Sequence, residues 1–288
     1  MRLFAYHRPT SVGEAVGLLG ELGESAAVLA GGTSVMNMAR LGLAEPEHVV
    51  SLGAIGELQG IGGSAQDGLV LGAMTSLRDV ETSDLVRRLA PGLSEAAGHV
   101  ATVRIRNQAT VGGNLVHADP NQDLPPMLMV HDAVVRMTGP DGVREVPVSE
   151  LFVGFLQSVV TEEEVVVSVH VPPVPAGMRS GYLKFLPRTQ DDYPTVAVAA
   201  AVTVVDGRVE QARVAVAGGG STTVRCREAE AVLTTGGLHA DALRAAAAAV
   251  LDSLDPISDG RGSSRYKRSM AAVCTQRLLE RLTTETSR

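Results

Sequence analysis

The chain has 288 residues, 45% of them apolar, and its 25 basic and 32 acidic residues leave a net charge of −7. That length implies two domains, and an acidic balance lacks the basic footprint that grips phosphate backbones or anionic membrane surfaces, so no nucleic acid partner is expected. The two cysteines, Cys226 and Cys274, are too few for an iron–sulfur cluster, which takes about four thiolates, so redox chemistry on this chain would need an organic cofactor.

Thr10 to Leu22 reads as a capped helix, with Thr10 or Ser11 ahead of Glu14 and apolar residues at Val12, Val16 and Leu19. A strand is expected over Ala26 to Ala30, ending in Gly31-Gly32, and then a helix over Val35 to Leu41 capped by Thr33 or Ser34. Short strands follow at Val49 to Leu52, Leu58 to Gly62 and Leu69 to Ala73, then one or two helices within Ser83 to Val100. Prolines 125 and 126 suit the first turn of a helix running to Val130. Ala133 to Thr138 and Val143 to Val148 flank Pro140-Asp141-Gly142 as a hairpin. The strand Val165 to Val171 leads into Pro172 to Gly177, the proline-dense stretch taken as the domain boundary. Beyond it lie three strands, Tyr182 to Leu186, Val196 to Val205 and Val209 to Val216. Two helices follow, around Leu238 to Leu251 and Ser264 to Leu282, giving an α+β order with helices on one face of a sheet. The longest apolar run, Val196 to Val205, is half a bilayer span, so no membrane span is expected. The opening residues lack a signal-peptide core, and a cytoplasmic location is expected.

Two glycine pairs carry the chemistry: Ala30-Gly31-Gly32-Thr33-Ser34 and Thr110-Val111-Gly112-Gly113-Asn114. Paired glycines let backbone N–H groups converge on an anion without Cβ atoms in the way, and a helix start adds positive potential; either pair by itself reads first as a tight turn. A Cβ at Gly112 or Gly113 is expected to fill space that a diphosphate needs or to demand a forbidden φ. Gly60-Ile61-Gly62-Gly63-Ser64-Ala65 formally fits a dinucleotide fingerprint, but Gln66-Asp67-Gly68 and a strand follow instead of a helix, so it reads as a hairpin turn. Gly218-Gly219-Gly220 reads as a loop. The seven histidines show no metal-ligand spacing, and no metal is expected.

The first glycine pair, together with Arg106 to Pro125, resembles the FAD-binding medium subunit of the molybdenum hydroxylases, the family of carbon monoxide and xanthine dehydrogenase flavoproteins. The resemblance extends over Phe4 to Pro9, Leu71 to Thr75 and Ser258-Asp259-Gly260-Arg261-Gly262-Ser263-Ser264-Arg265-Tyr266. It implies a two-lobed FAD-binding domain of the vanillyl-alcohol-oxidase-like (PCMH) type over 1–172, its lobes split near 55–60. A smaller C-terminal domain of the carbon monoxide dehydrogenase flavoprotein type, a three-stranded sheet with helices, would span 178–288. It implies cofactor contacts at Val28, Leu29, Ala30, Gly31, Gly32, Thr33, Ser34, Val35, Val100, Thr110, Val111, Gly112, Gly113, Asn114, Asp123, Val166 and Lys184, with Tyr193 beside the flavin ring. Lys184 to Tyr193 would reach over the isoalloxazine; bare readings of these two residues are a strand-edge charge and a core aromatic. Pro194, Thr189-Gln190 and Met36-Asn37-Met38 depart from the family's pattern. The implied function is electron transfer from iron–sulfur clusters on a small partner subunit, fed by molybdopterin on a large one, through FAD to an external acceptor. The alternative is a free-standing FAD-dependent oxidoreductase acting on a small organic substrate.

Overall fold

The computed structural model describes residues 3–186 and 188–284; Pro187 and the last four positions of the expected C-terminal domain lie outside the described residues. A three-stranded parallel sheet opens the chain, in the order Ala5–His7, His48–Ser51, Ala26–Leu29. The helix Val12–Leu22 covers it, its start fixed where the Ser11 hydroxyl accepts from the Glu14 amide, and it buries Val12, Ala15 and Leu19. A five-stranded antiparallel sheet follows in the order Ile61–Ser64, Gly68–Gly72, Val165–Val171, Val134–Gly139, Gly142–Pro147. The Gly60 to Ala65 fingerprint is the outer strand and turn of a hairpin. The expected strand Leu58 to Gly62 begins later, because Gly56–Leu58 winds as a 3-10 turn that sends Leu58 into the core.

Two helices, Asp84–Leu89 and Pro91–Gly98, occupy the stretch Ser83 to Val100, as expected, and a third, Leu77–Thr82, precedes them. Ser76 and Ser83 each cap the helix that follows, so two serines divide one apolar stretch into separate turns.

The C-terminal sheet has four strands, not three: Met178–Phe185, Val196–Val205, Arg208–Ala217 and the two-residue Val224–Arg225. It is also buried on both faces, where helices on one face were expected. Along Val196–Val205 the side chains alternate with period two. Val196, Val198, Ala200 and Val202 pack on the helix Ser264–Thr284 and share one core with the helices Arg227–Gly236 and Ala240–Val250. Ala197, Ala199 and Ala201 face the rest of the molecule. Those alanines leave room for the helix Leu124–Val130, all seven of whose residues are buried, packed between the C-terminal sheet and the helix Pro91–Gly98. The helix Arg227–Gly236 was not expected, since only Ala229 and Leu233 of its apolar positions are buried. Asp132, at φ +49, clamps the far end of Leu124–Val130 to the C-terminal sheet through Arg213 and Arg225, each at 2.6 Å. No helix among the described residues is long and apolar enough to cross a membrane.

The wedge helix gives a direct test of this packing. Leu128 is 0% exposed, and Leu128→Ala is expected to cost about 2–5 kcal/mol of unfolding free energy in urea titration. A loss under about 1 kcal/mol would mean that the C-terminal sheet does not close on this helix.

Candidate functional site

A cavity of about 620 Å³ runs between the two glycine segments and the C-terminal sheet. Its first wall is a strand, a glycine turn and a helix. The strand Ala26–Leu29 ends, Gly32 turns the chain at φ +75, and the helix Val35–Arg40 begins. Ser34 stands at the cap position but its side chain caps no amide, contrary to expectation, so the start of this helix faces the cavity without a side-chain cap.

The second glycine pair is built differently. Thr110 caps the helix Val111–His117 by accepting from the Gly113 amide at 3.2 Å, while the Val111 and Gly112 amides donate to Thr75 and Ala73 carbonyls at 3.0 and 2.8 Å. The Asn114 amide returns to the Thr110 carbonyl. These donors are spent on the fold, so this segment shapes the cavity rather than offering the converging amides expected of it. Neither Gly112 nor Gly113 has a positive φ. What excludes a side chain there is protein: a Cβ at Gly112 would stand 2.8 Å from Ala73 Cβ, and one at Gly113 would stand 2.9 Å from Thr110 Oγ1 and 3.4 Å from Ala30 Cβ.

The wall supplied by the C-terminal sheet is a buried polar triad. Asp123 accepts from the Tyr182 hydroxyl at 2.5 Å and from Lys184 Nζ at 3.1 Å, and Lys184 also donates to the His99 carbonyl at 2.8 Å. Lys184 lies on an edge strand yet its side chain is 1% exposed, so it is no solvated edge charge. Burial pushes the Asp123 carboxyl up to about 6, with Lys184 and Tyr182 opposing. The same burial raises the Tyr182 phenol well above its usual range and lowers His99. Tyr193 stands at the solvent edge of the cavity, 42% exposed. Burial, together with Asp119 and Asp123, raises its phenol, while Arg261 opposes.

Of the residues expected at the site, Val28, Ala30, Gly31, Gly32, Thr33, Ser34, Val35, Val100, Thr110, Gly112, Gly113, Asn114, Asp123, Val166, Lys184 and Tyr193 line this one cavity. Leu29 and Val111 do not: Leu29 packs beneath Gly32, and Val111 is wholly buried in the core. Residues not foreseen are Tyr182, whose only sequence signal was its place in a strand, and Gln122, which stands inside the quoted motif beside Asp123. Gln122 and Asn114 each hold a buried carbonyl oxygen, Oε1 and Oδ1, without a protein partner among the described residues, and both residues line the cavity. A buried acceptor left unpaired costs about 1–3 kcal/mol. Two of them on one cavity fit a ligand that brings hydroxyl and N–H donors, as a flavin dinucleotide does.

The raised carboxyl sets a pH signature. Asp123 holds its proton more tightly folded than unfolded, so the folded chain binds the extra proton between about pH 4 and 6 and its contribution to stability falls as pH rises through that window. Urea titrations of wild type and Asp123→Asn are expected to differ by an amount that changes between pH 4 and 6 and is flat above about pH 7. A difference independent of pH would place Asp123 in water.

The comparisons accord with this geometry. Residues 2–174 match the family model described as FAD binding domain in molybdopterin dehydrogenase, and 181–282 match the CO dehydrogenase flavoprotein C-terminal domain. The carbon monoxide dehydrogenase medium chain of Hydrogenophaga pseudoflava is 36% identical over 276 residues, 96% of each chain. Subunit alpha of the 6-hydroxypseudooxynicotine dehydrogenase complex of Paenarthrobacter nicotinovorans is 35% identical over 277 residues, 96% of this chain and 93% of that one. A solved structure of carbon monoxide dehydrogenase from Hydrogenophaga pseudoflava superposes with a TM-score of 0.95 at 37% identity over 98% of both chains. The chain belongs to the family of FAD-binding medium subunits of the molybdenum-containing dehydrogenases.

Proposed function

We propose that this chain seats FAD in the 620 Å³ cavity and serves as the electron outlet of a larger oxidoreductase. The observation that carries the reading is the convergence of both glycine segments, the Asp123–Lys184 pair and Tyr193 on that one space. In this reading Gly31 to Val35 hold the diphosphate, with Thr110 to Asn114 packed against them as the rigid back wall. Asn114 and Gln122 accept from the cofactor's donors, Lys184 faces the flavin as a buried cation, and Tyr193 shields its edge from water. Bound flavin supplies a centre that exchanges electrons singly or in pairs. The chain's own part is to fix that centre, exclude water and set the surrounding charge, and no side chain need act as acid or base.

The partners proposed are a small iron–sulfur subunit and a large molybdopterin subunit, the latter choosing the substrate. Chain segments 1–172 and 178–288 are the proposed domains, and the cytoplasm is the proposed location. Cys226 and Cys274 are unpaired and buried, as suits a reducing compartment. Membership of the family favours this reading over a free-standing oxidoreductase.

Purified chain is expected to release free FAD on heating, at about one per chain, and to oxidise organic substrates only with its partner subunits present. A protein that takes up no FAD on reconstitution, or an isolated chain with robust substrate turnover, would contradict the proposal.

A further inference from the structure

The segment Ser258 to Tyr266 lies outside the cofactor contacts assigned above, yet it is heavily cross-braced. Asp259 and Gly262 exchange backbone hydrogen bonds in both directions at 3.1 Å, closing a tight loop. Inside it the Arg261 amide donates to Asp259 Oδ1 at 2.8 Å and Arg261 Nη1 to Asp259 Oδ2 at 3.1 Å. Asp259 is gripped from below by Lys267 Nζ at 2.9 Å, a lysine only 3% exposed that also donates to the Ile257 carbonyl. The Arg261 carbonyl accepts from Thr195 Oγ1, two residues beyond Tyr193. The guanidinium so fixed lies 5.5 Å from the centre of the Tyr193 ring, within the range of a cation–π contact.

A buried ammonium is costly unless paired, and a pair of this kind is best understood as fixing one geometry. Here the fixed geometry ends on Tyr193, the half-exposed residue at the solvent edge of the cavity. We propose that Arg261 is the positioning residue for Tyr193: clipped by Asp259 and Lys267, it holds the phenol ring across the cavity edge and so limits which electron acceptors reach the group bound inside. The statement about acceptors rests on the FAD reading, whereas the placement of the ring does not.

The test uses the full chain with 13C-labelled tyrosine, the Tyr193 resonance being assigned by its loss in Tyr193→Phe. In the FAD-free chain, Arg261→Met should increase broadening of the Tyr193 signal by a soluble nitroxide about threefold while buried Tyr182 stays unchanged, and Arg261→Lys should recover part of the shielding. Asp259→Asn should loosen the same contact with the arginine still present, which keeps the test open if Arg261→Met folds poorly. In the FAD-loaded chain, Arg261→Met should speed reoxidation of dithionite-reduced flavin by a bulky quinone more than by oxygen, with FAD affinity unchanged. Unchanged Tyr193 broadening in both Arg261→Met and Asp259→Asn would overturn the proposal, as would equal acceleration by both acceptors. The predicted NMR changes in a chain that binds no FAD would leave Arg261 as the positioning residue and defeat the cofactor reading instead.

Discussion

The arrangement depends on the close approach of two backbone segments, the turn at Gly31 and the stretch Gln108–Ala109 that leads into Thr110. A Cβ on Gly31 would fall on the carbonyl of Gln108, 2.6 Å from its carbon and 3.1 Å from Ala109 Cα. Only glycine lets the first sheet's turn lie flat on the segment that leads into Thr110. That segment is itself anchored, because the Leu77 amide donates to the Ala109 carbonyl and the Val111 and Gly112 amides donate to Thr75 and Ala73. Ala73 in turn donates to Val167 of the five-stranded sheet, and Thr75 Oγ1 donates to Gly60. The parallel sheet, the antiparallel sheet and the helix Val111–His117 are thereby referred to one point, and the cavity is the space left over beside it.

The other side of the cavity is secured by charge. Asp123, Tyr182 and Lys184 are all nearly inaccessible to water, and a buried ion pair contributes little net stability because desolvation offsets attraction. What it contributes is orientation. Tyr182 and Lys184 stand two residues apart on the same face of one strand and Asp123 opens the wedge helix, so the two bonds together fix how the C-terminal sheet docks. A second brace, Arg281 to Glu95 at 3.1 Å and to the Tyr182 carbonyl at 2.8 Å, holds the same strand through its backbone. Among the described residues the buried oxygens of Asn114 and Gln122 find no partner, so these residues leave the hydrogen bonding of this space incomplete.

Local chemistry was legible where one residue decides it. Ser11 as a cap and the strand of Val196–Val205 follow from rules that act within a few residues. The resemblance brought sixteen positions to one cavity, which no spacing rule could do, because the segments involved meet only through tertiary packing. What was not legible was where the amides of the second glycine pair would go, since Thr75 and Ala73 lie some thirty-five residues upstream. The second covered face of the C-terminal sheet was missed for a related reason. The alanines of Val196–Val205 look like weak core until the helix Leu124–Val130 is seen to need their small size. Arg261 belongs to the same class, a charge whose meaning appears only when Tyr193 is beside it.

The central claim is that the contact of Gly31 with Gln108–Ala109 fixes the seat of the cofactor's diphosphate. Titrating FAD into the FAD-free chain and into Gly31→Ala, followed by quenching of flavin fluorescence, tests it most directly. The account predicts that Gly31→Ala keeps its far-ultraviolet circular dichroism and binds FAD about tenfold or more weakly, because one methyl must push the two segments apart. Wild-type affinity in a folded Gly31→Ala chain would contradict it.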